Sequence, residues 1–245
     1  MIEVELKALA NKLDVQTLFD NGYKLTNTEK QLNHYFKVNS IHWVTELFDN
    51  LKGHLLHKAY TELLEAFKTN DVAIRTRWTE EQDYKENTYL IVKYSLTDTN
   101  HQNGISRKEI QINLDMDLVD LDNLLLDSGL IYASKWSRNR QIYNYVGDEF
   151  KDFKHEICLD TNAGYGKVLE IESVVDTEEE ALCTEPKLRY ILNKLGLEEL
   201  DINLLEDMFT FYQKHWKEYY GTDKLIWNDI RFIAPILSSG VFLVG

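Results

Sequence analysis

Glutamates and a lysine occupy alternate positions at the start of the chain, Ile2-Glu3-Val4-Glu5-Leu6-Lys7, and the pattern returns late as Val168-Leu169-Glu170-Ile171-Glu172. A β-strand sends successive side chains to opposite faces, so Glu3, Glu5 and Lys7 share one face while Ile2, Val4 and Leu6 share the other. Two acidic pairs can therefore meet in one sheet. Carboxylates at close range raise one another's pKa unless positive charge lies between them, and a hard divalent cation with oxygen ligands supplies that charge.

Basic residues fill the stretches between. Ala73-Ile74-Arg75-Thr76-Arg77 puts two guanidiniums on one face, Leu90-Ile91-Val92-Lys93 adds an ammonium, and Trp136-Ser137-Arg138-Asn139-Arg140 adds two more guanidiniums. Arg107-Lys108-Glu109-Ile110-Gln111-Ile112 groups Arg107, Glu109 and Gln111 opposite Ile110 and Ile112. One such strand alone is explained as well by an antiparallel strand with a wet face. The set is ordered differently, with acids on the first and last strands and arginine or lysine on those between. If helices cover the apolar faces, the charged faces must turn into a shared interior, because buried charges need partners. The element that positions them is a closed sheet with a charged lumen.

Taken in order, Glu-x-Glu-x-Lys, the paired arginines, Lys93, Arg-x-Glu at Arg107 and Glu109, and Gly166 followed by Glu170-x-Glu172 resemble the CYTH superfamily, the triphosphate tunnel metalloenzymes. The resemblance spans about residues 1–200. It implies an α+β fold, a closed eight-stranded antiparallel β-barrel surrounded by helices and open as a tunnel that binds a triphosphate with Mg2+ or Mn2+. Lys7, Arg75, Arg77, Lys93, Arg107, Arg138 and Arg140 would bind the phosphates and serve catalysis. Metal ligands would come from Glu3, Glu5, Glu109, Glu170 and Glu172, and the resemblance adds Asp160 as a metal or water contact. Hydrolysis of a small triphosphate (tripolyphosphate, thiamine triphosphate or a nucleoside triphosphate) is the first expectation, since no residue is identified that reads a purine. A class IV-type adenylyl cyclase making cyclic AMP and pyrophosphate is the second. A triphosphate-binding module with feeble turnover is the third, because Gln111 stands where the family pattern has an acid.

The 245 residues, 44% of them hydrophobic, suffice for one barrel with helices, and the two prolines argue against a linker. Residues 1–220 are assigned to the tunnel domain and 221–245 to an apolar tail too short and interrupted to span a membrane. Cys158 and Cys183 offer no disulfide framework or metal spacing, and no leader pattern precedes Glu3, so a cytoplasmic setting is expected. The formal net charge of -14 disfavours coating nucleic acid, and the site's cations set their own local field.

Helical spacing predicts helices over residues 9–21, 120–128, 179–195 and 204–219, with Pro186 breaking or delaying the third. Residues 42–68 read as a two-helix insertion between the second and third strands, as a cap over a tunnel mouth or a packed insertion. His34, His42, His54, His57 and His101 lack ligand spacing and carry no catalytic assignment. Gly164-Tyr165-Gly166 reads as a hairpin needing positive φ, and Asn103-Gly104 as a turn.

Overall fold

The computed structural model describes residues 2–38, 43–51, 53, 57–69, 72–95 and 107–238. Eight strands, β1 (Ile2–Leu9), β2 (Tyr23–Val38), β3 (Val72–Glu81), β4 (Glu86–Ser95), β5 (Arg107–Leu114), β6 (Leu130–Tyr145), β7 (Glu156–Asn162) and β8 (Gly166–Val175), form one curled antiparallel sheet. Along it the order is β5-β4-β3-β2-β6-β7-β8-β1. The curl carries β1 back toward β5, which it meets at a single registered pair, Glu3 opposite Arg107. The two 16-residue strands, β2 and β6, form the spine. Their ladder shifts register between Leu25 and Asn27 and between Tyr35 and Phe36, irregularities that bend a strand and increase its twist.

Seven helices flank the sheet among the described residues: α1 (Gln16–Asp20), α2 (Trp43–Leu51), α3 (His57–Thr69), α4 (Leu118–Asp127), α5 (Glu178–Lys194), α6 (Ile202–Tyr219) and α7 (Ile230–Ser238). The strict alternation of β1 buries Ile2, Val4, Leu6 and Ala8 in one cluster with Leu188, Ile191 and Leu192 of α5. A second cluster joins Ile74, Leu90, Val92 and Ile110 of β3–β5 to Leu47 and Leu51 of α2, Leu63 of α3 and Leu121 and Leu125 of α4. The convex face is thus the apolar one, and the predicted insertion contributes α2 and α3 to that core. His42, His54, His101 and the Asn103-Gly104 turn lie outside the described residues, as does the His57 side chain.

Two helix expectations are corrected. Residues 9–21 are not one helix, because β1 runs to Leu9 opposite Val168, and α1 covers only Gln16–Asp20. The reason is pairing: the Ala10 amide donates to the Lys167 carbonyl and Asn11 Oδ1 accepts from the Lys167 amide, extending the ladder past the strand end. Pro186 sits inside α5 without ending it. The lost hydrogen bond is offset by a capping box at Thr177 and Glu180 and by the buried stripe Ala181, Thr184, Leu188, Ile191 and Leu192.

The β7–β8 hairpin has positive φ at Gly164 (81°) and Gly166 (80°), as its sequence requires. A Cβ on Gly164 would also stand 2.5 Å from the Tyr212 ring of α6. After α6, a 3-10 turn (Ile226–Asn228) and α7 pack Ile226, Phe232 and Ile236 into a third cluster with Trp136, Tyr165, Met208 and Tyr212. No helix among the described residues is long and apolar enough to cross a membrane.

Candidate active site

Register, more than sequence spacing, brings the charged residues together. On β1 and β8, Glu5 faces Glu172 and Lys7 faces Glu170. On β6 and β7, Arg140 faces Asp160, and on β4 and β5, Lys93 faces Glu109. β2 joins the two halves, with Tyr35 opposite Arg75, Asn33 opposite Arg77 and Gln31 opposite both Thr79 and Arg138. Every one of these residues lies on the concave face. Lys7, Arg75, Arg77, Lys93, Arg138 and Arg140 therefore share a surface with Glu3, Glu5, Glu109, Asp160, Glu170 and Glu172. Arg107 takes its place on β5 in register with Glu3.

The carboxylates divide into two groups. Oxygens of Glu3, Glu5 and Glu172 lie within 4.8 Å of one another, an arrangement suited to a hard cation. Lys93 Nζ reaches Glu3 at 2.8 Å, and Lys7 bonds Glu5. Glu172 has no ion pair among the described residues. Burial, with Glu3, Glu170 and Glu156 nearby, pushes its carboxyl up to about 7. Glu109, Asp160 and Glu170, outside that trio, each hold a cation as well. Glu109 takes Lys93 at 2.6 Å, and Glu170 takes Lys7 at 2.6 Å and also Arg140. Asp160, fully buried, accepts two hydrogen bonds from Arg140 and one from Arg138, each 2.7 Å. Burial would raise Glu170, but Lys7, Arg140 and Arg138 hold it well below the usual carboxylate range.

The guanidiniums are not all matched. Arg138 and Arg140 share Asp160, and Arg75 lies 3.7 Å from Glu109 while donating to the Tyr35 hydroxyl at 2.9 Å. Arg77 donates through Nε to Asn33 Oδ1 at 2.9 Å and has no carboxylate partner among the described residues. Its charge is disfavoured by desolvation and by Arg75, Arg138 and Arg140, which drive its pKa well below the arginine norm. Arg75 Nε is buried without a hydrogen-bond partner among the described residues. Four guanidiniums, one without a carboxylate partner and one with an unused donor, leave hydrogen-bond donors of the kind that suit an anion with several oxygens.

Sequence reasoning missed the contribution of β2. Glu29, Gln31, Asn33 and Tyr35 occupy its concave face, and Gln31 Oε1 accepts from Arg138 at 2.7 Å. Burial would raise the Tyr35 phenol, yet Arg75, Arg138 and Arg77 pull it down to about 8. The signal was present as alternation, but Thr28, Lys30 and His34 make the other row polar too and hide the contrast.

A family model described as "CYTH domain" matches residues 1–203. No curated protein sequence matches the chain. Among solved structures, one from Pyrococcus horikoshii is similar with 24% identity, a TM-score of 0.58 and coverage of 80% of this chain and 92% of its own. A Pyrococcus furiosus protein has 20% identity, TM-score 0.54, and coverage of 81% and 93%. A candidate adenylate cyclase from Vibrio parahaemolyticus has 15% identity, TM-score 0.52, and coverage of 81% and 90%. These likenesses establish the fold.

Proposed function

Because this chain belongs to the CYTH family, whose members process triphosphates with a divalent cation, we propose that it hydrolyses a small inorganic or organic triphosphate inside its curled sheet, closed as a tunnel. The observation that carries this reading is Arg77: a half-buried guanidinium without a carboxylate partner among the described residues, close to Arg75, Arg138 and Arg140 on the same concave face as the Glu3, Glu5 and Glu172 trio. Such a charge is costly unless a polyanion neutralises it. Arg77 lacks an anion and Glu172 lacks a cation, and a metal–triphosphate complex would supply both.

In this reading Arg75, Arg77, Arg138 and Arg140, with Lys7, Lys93 and Arg107, hold phosphate oxygens and spread the charge that develops on phosphoryl transfer. Asp160 keeps Arg138 and Arg140 aimed along the lumen through its three hydrogen bonds. Glu3, Glu5 and Glu172 would hold Mg2+ or Mn2+, their clustered oxygens being the right donor type for either. The cation, when bound, neutralises phosphate charge and lowers the pKa of a coordinated water. Tyr35, its phenol lowered by the same arginines, lies in hydrogen-bond contact with Arg75, where it can orient an oxygen or give up a proton. Cys158 is buried and Cys183 exposed, both as free thiols, which fits a cytoplasmic setting.

The test is product analysis. The purified chain, given tripolyphosphate, thiamine triphosphate or ATP with Mg2+ or Mn2+, should release orthophosphate, and excess EDTA should abolish turnover. Cyclic AMP with pyrophosphate would assign it as a cyclase instead. Tight substrate binding without product would assign it as a binding module, the outcome that Gln111 in place of an acid would explain.

A further inference from the structure

Directly behind the anion-binding wall, on the convex side of the sheet, lies a buried polar knot. His34 sits between Asn33 and Tyr35 on β2, and Thr76 sits between Arg75 and Arg77 on β3, the two facing each other in register. Each strand thus turns its anion-site residues inward and one polar residue outward. Both outward residues are fastened to one carboxylate, Asp122 of α4: Thr76 Oγ1 donates to Oδ1 at 2.6 Å, and His34 Nδ1 lies 2.6 Å from Oδ2. Tyr132 of β6 donates to Oδ2 at 2.7 Å. The same histidine meets the Tyr220 hydroxyl, just past α6, through Nε2 at 3.0 Å, and Lys135 Nζ approaches Asp122 at 4.0 Å.

We propose that Asp122 is a positioning residue for the anion site, holding β2, β3 and β6 together from behind so that Arg75 and Arg77 stay aimed into the lumen. This rests on the reading that the arginine wall binds a triphosphate. Arg75 and Arg77 on β3 and Arg138 and Arg140 on β6, with β2 between them, repel most strongly where the dielectric is low, and that repulsion acts to pull β3 and β6 away from β2. The concave side opposes it with two hydrogen bonds across β2 and β3, Arg77 to Asn33 and Arg75 to Tyr35. The convex side opposes it with a carboxylate that accepts from all three strands. A carboxylate suits this place because it is acceptor-only, whereas an amide would set its NH2 against incoming donors. Burial would raise the Asp122 carboxyl, and hydrogen bonds from His34, Thr76 and Tyr132 hold it down, so the fastening group stays ionised. A buried polar network satisfied in this way stiffens what it joins.

The experiment compares Thr76→Val, Thr76→Ser and Asp122→Asn with a control, Tyr23→Phe, which removes a buried hydrogen bond (Tyr23 hydroxyl to His155 Nε2, 2.8 Å) from the far end of β2. Two quantities are read beside thermal stability: tripolyphosphate affinity by calorimetry with Mg2+, and solvent exchange of the Arg77 Nε–H by NMR in the ligand-free protein. Thr76→Val and Asp122→Asn should weaken binding about fivefold or more and speed the exchange about tenfold. Thr76→Ser should restore both. Tyr23→Phe should lower stability and move neither. If Thr76→Val and Asp122→Asn melt lower yet leave exchange and affinity where Tyr23→Phe leaves them, Asp122 is merely structural and the proposal is overturned. Should Asp122→Asn not fold, the Thr76 pair decides alone. Should the wild type bind no tripolyphosphate, the functional reading fails, and the exchange measurement, which needs no ligand, still judges the positioning role.

Discussion

On the β1–β8 wall of the concave face, Glu3, Glu5 and Glu172 converge within 4.8 Å, and Glu172 has no cation of its own among the described residues. On the β2–β3–β6 wall, Arg75, Arg77, Arg138 and Arg140 crowd together, and Arg77 has no anion. Other charges of the face are paired off, Lys7 with Glu170, Lys93 with Glu3 and Glu109, and Arg138 with Asp160, at 2.6 to 2.8 Å. A protein selected for stability alone would have let the leftover acid and the leftover base meet. Keeping them apart, each half-buried and each shifted toward its neutral form, leaves two complementary deficits that the proposed metal–polyanion ligand would satisfy.

The largest effect should come from removing the unmatched base. Arg77→Met should lower kcat/KM for the preferred triphosphate by about 100-fold, the loss of a charge-assisted interaction of roughly 2–3 kcal/mol. The melting temperature should hold or rise, since a charge without a carboxylate partner and crowded by three other arginines has gone. Intact turnover with a lower melting temperature would make Arg77 a structural residue and dissolve the contrast between the walls.

Adjacent residues on β8 sharpen the comparison. Glu172→Gln should cut turnover about tenfold or more while leaving the fold stable, because Glu172 lies on the concave face beside Glu3 and Glu5. Ile171→Asn, fully buried on the convex side among Leu6, Leu188 and Ile191, should mainly unfold the chain, an unsatisfied amide costing ~1–3 kcal/mol beyond lost packing. Similar behaviour of the two mutants in paired activity and denaturation assays would refute the facing of the strand.

The acidic wall also predicts a pH signature. Glu172 titrates at about 7 when folded, above its unfolded value, so it binds its proton more tightly in the native state. Its stabilising contribution is full below the unfolded pKa and is lost as pH rises through about 7. Metal-free protein should therefore melt progressively lower as pH rises from about 5 to about 8, the window of the Glu172 shift, and Mg2+ or Mn2+ should raise the melting temperature more at about pH 8 than at about pH 6. Glu172→Gln should flatten both trends, and an equal metal effect at the two pH values would contradict the assignment.

Smallest should be the effect of Gln111→Glu. Gln111 is exposed on the β5 row that continues from Glu109. An added charge should lower the Mg2+ needed for half-maximal rate a few-fold, about two- to fivefold, without changing the product. A raised substrate requirement at unchanged metal affinity would mean instead that the amide contacts the substrate.

Much of this face was legible before any coordinates. Glu3, Glu5, Lys7, Arg75, Arg77, Arg138, Arg140, Glu170 and Glu172 alternate with strongly apolar or plainly outward residues, and a period of two is enough to assign them to one side. β2 was less legible because both its rows are polar. Leu9 was drawn into a helix because an apolar residue ending a strand looks the same as one beginning a helix. Pro186 misled because a local rule about helix interiors yields to a buried stripe that docks on β1 and β8.

Sequence periodicity determined which side chains share a face, since alternation is a property of the single strand. Which acid meets which base is a property of several strands at once, set by register and curl. Tertiary structure alone decided that Glu109, Asp160 and Glu170 are taken by cations while Glu172 and Arg77 are left over. It alone placed Asp122, nearly fifty residues beyond Thr76 in the chain, at 2.6 Å from it. Hydrogen bonds and ion pairs act over a few ångströms, and only the folded sheet sets those distances.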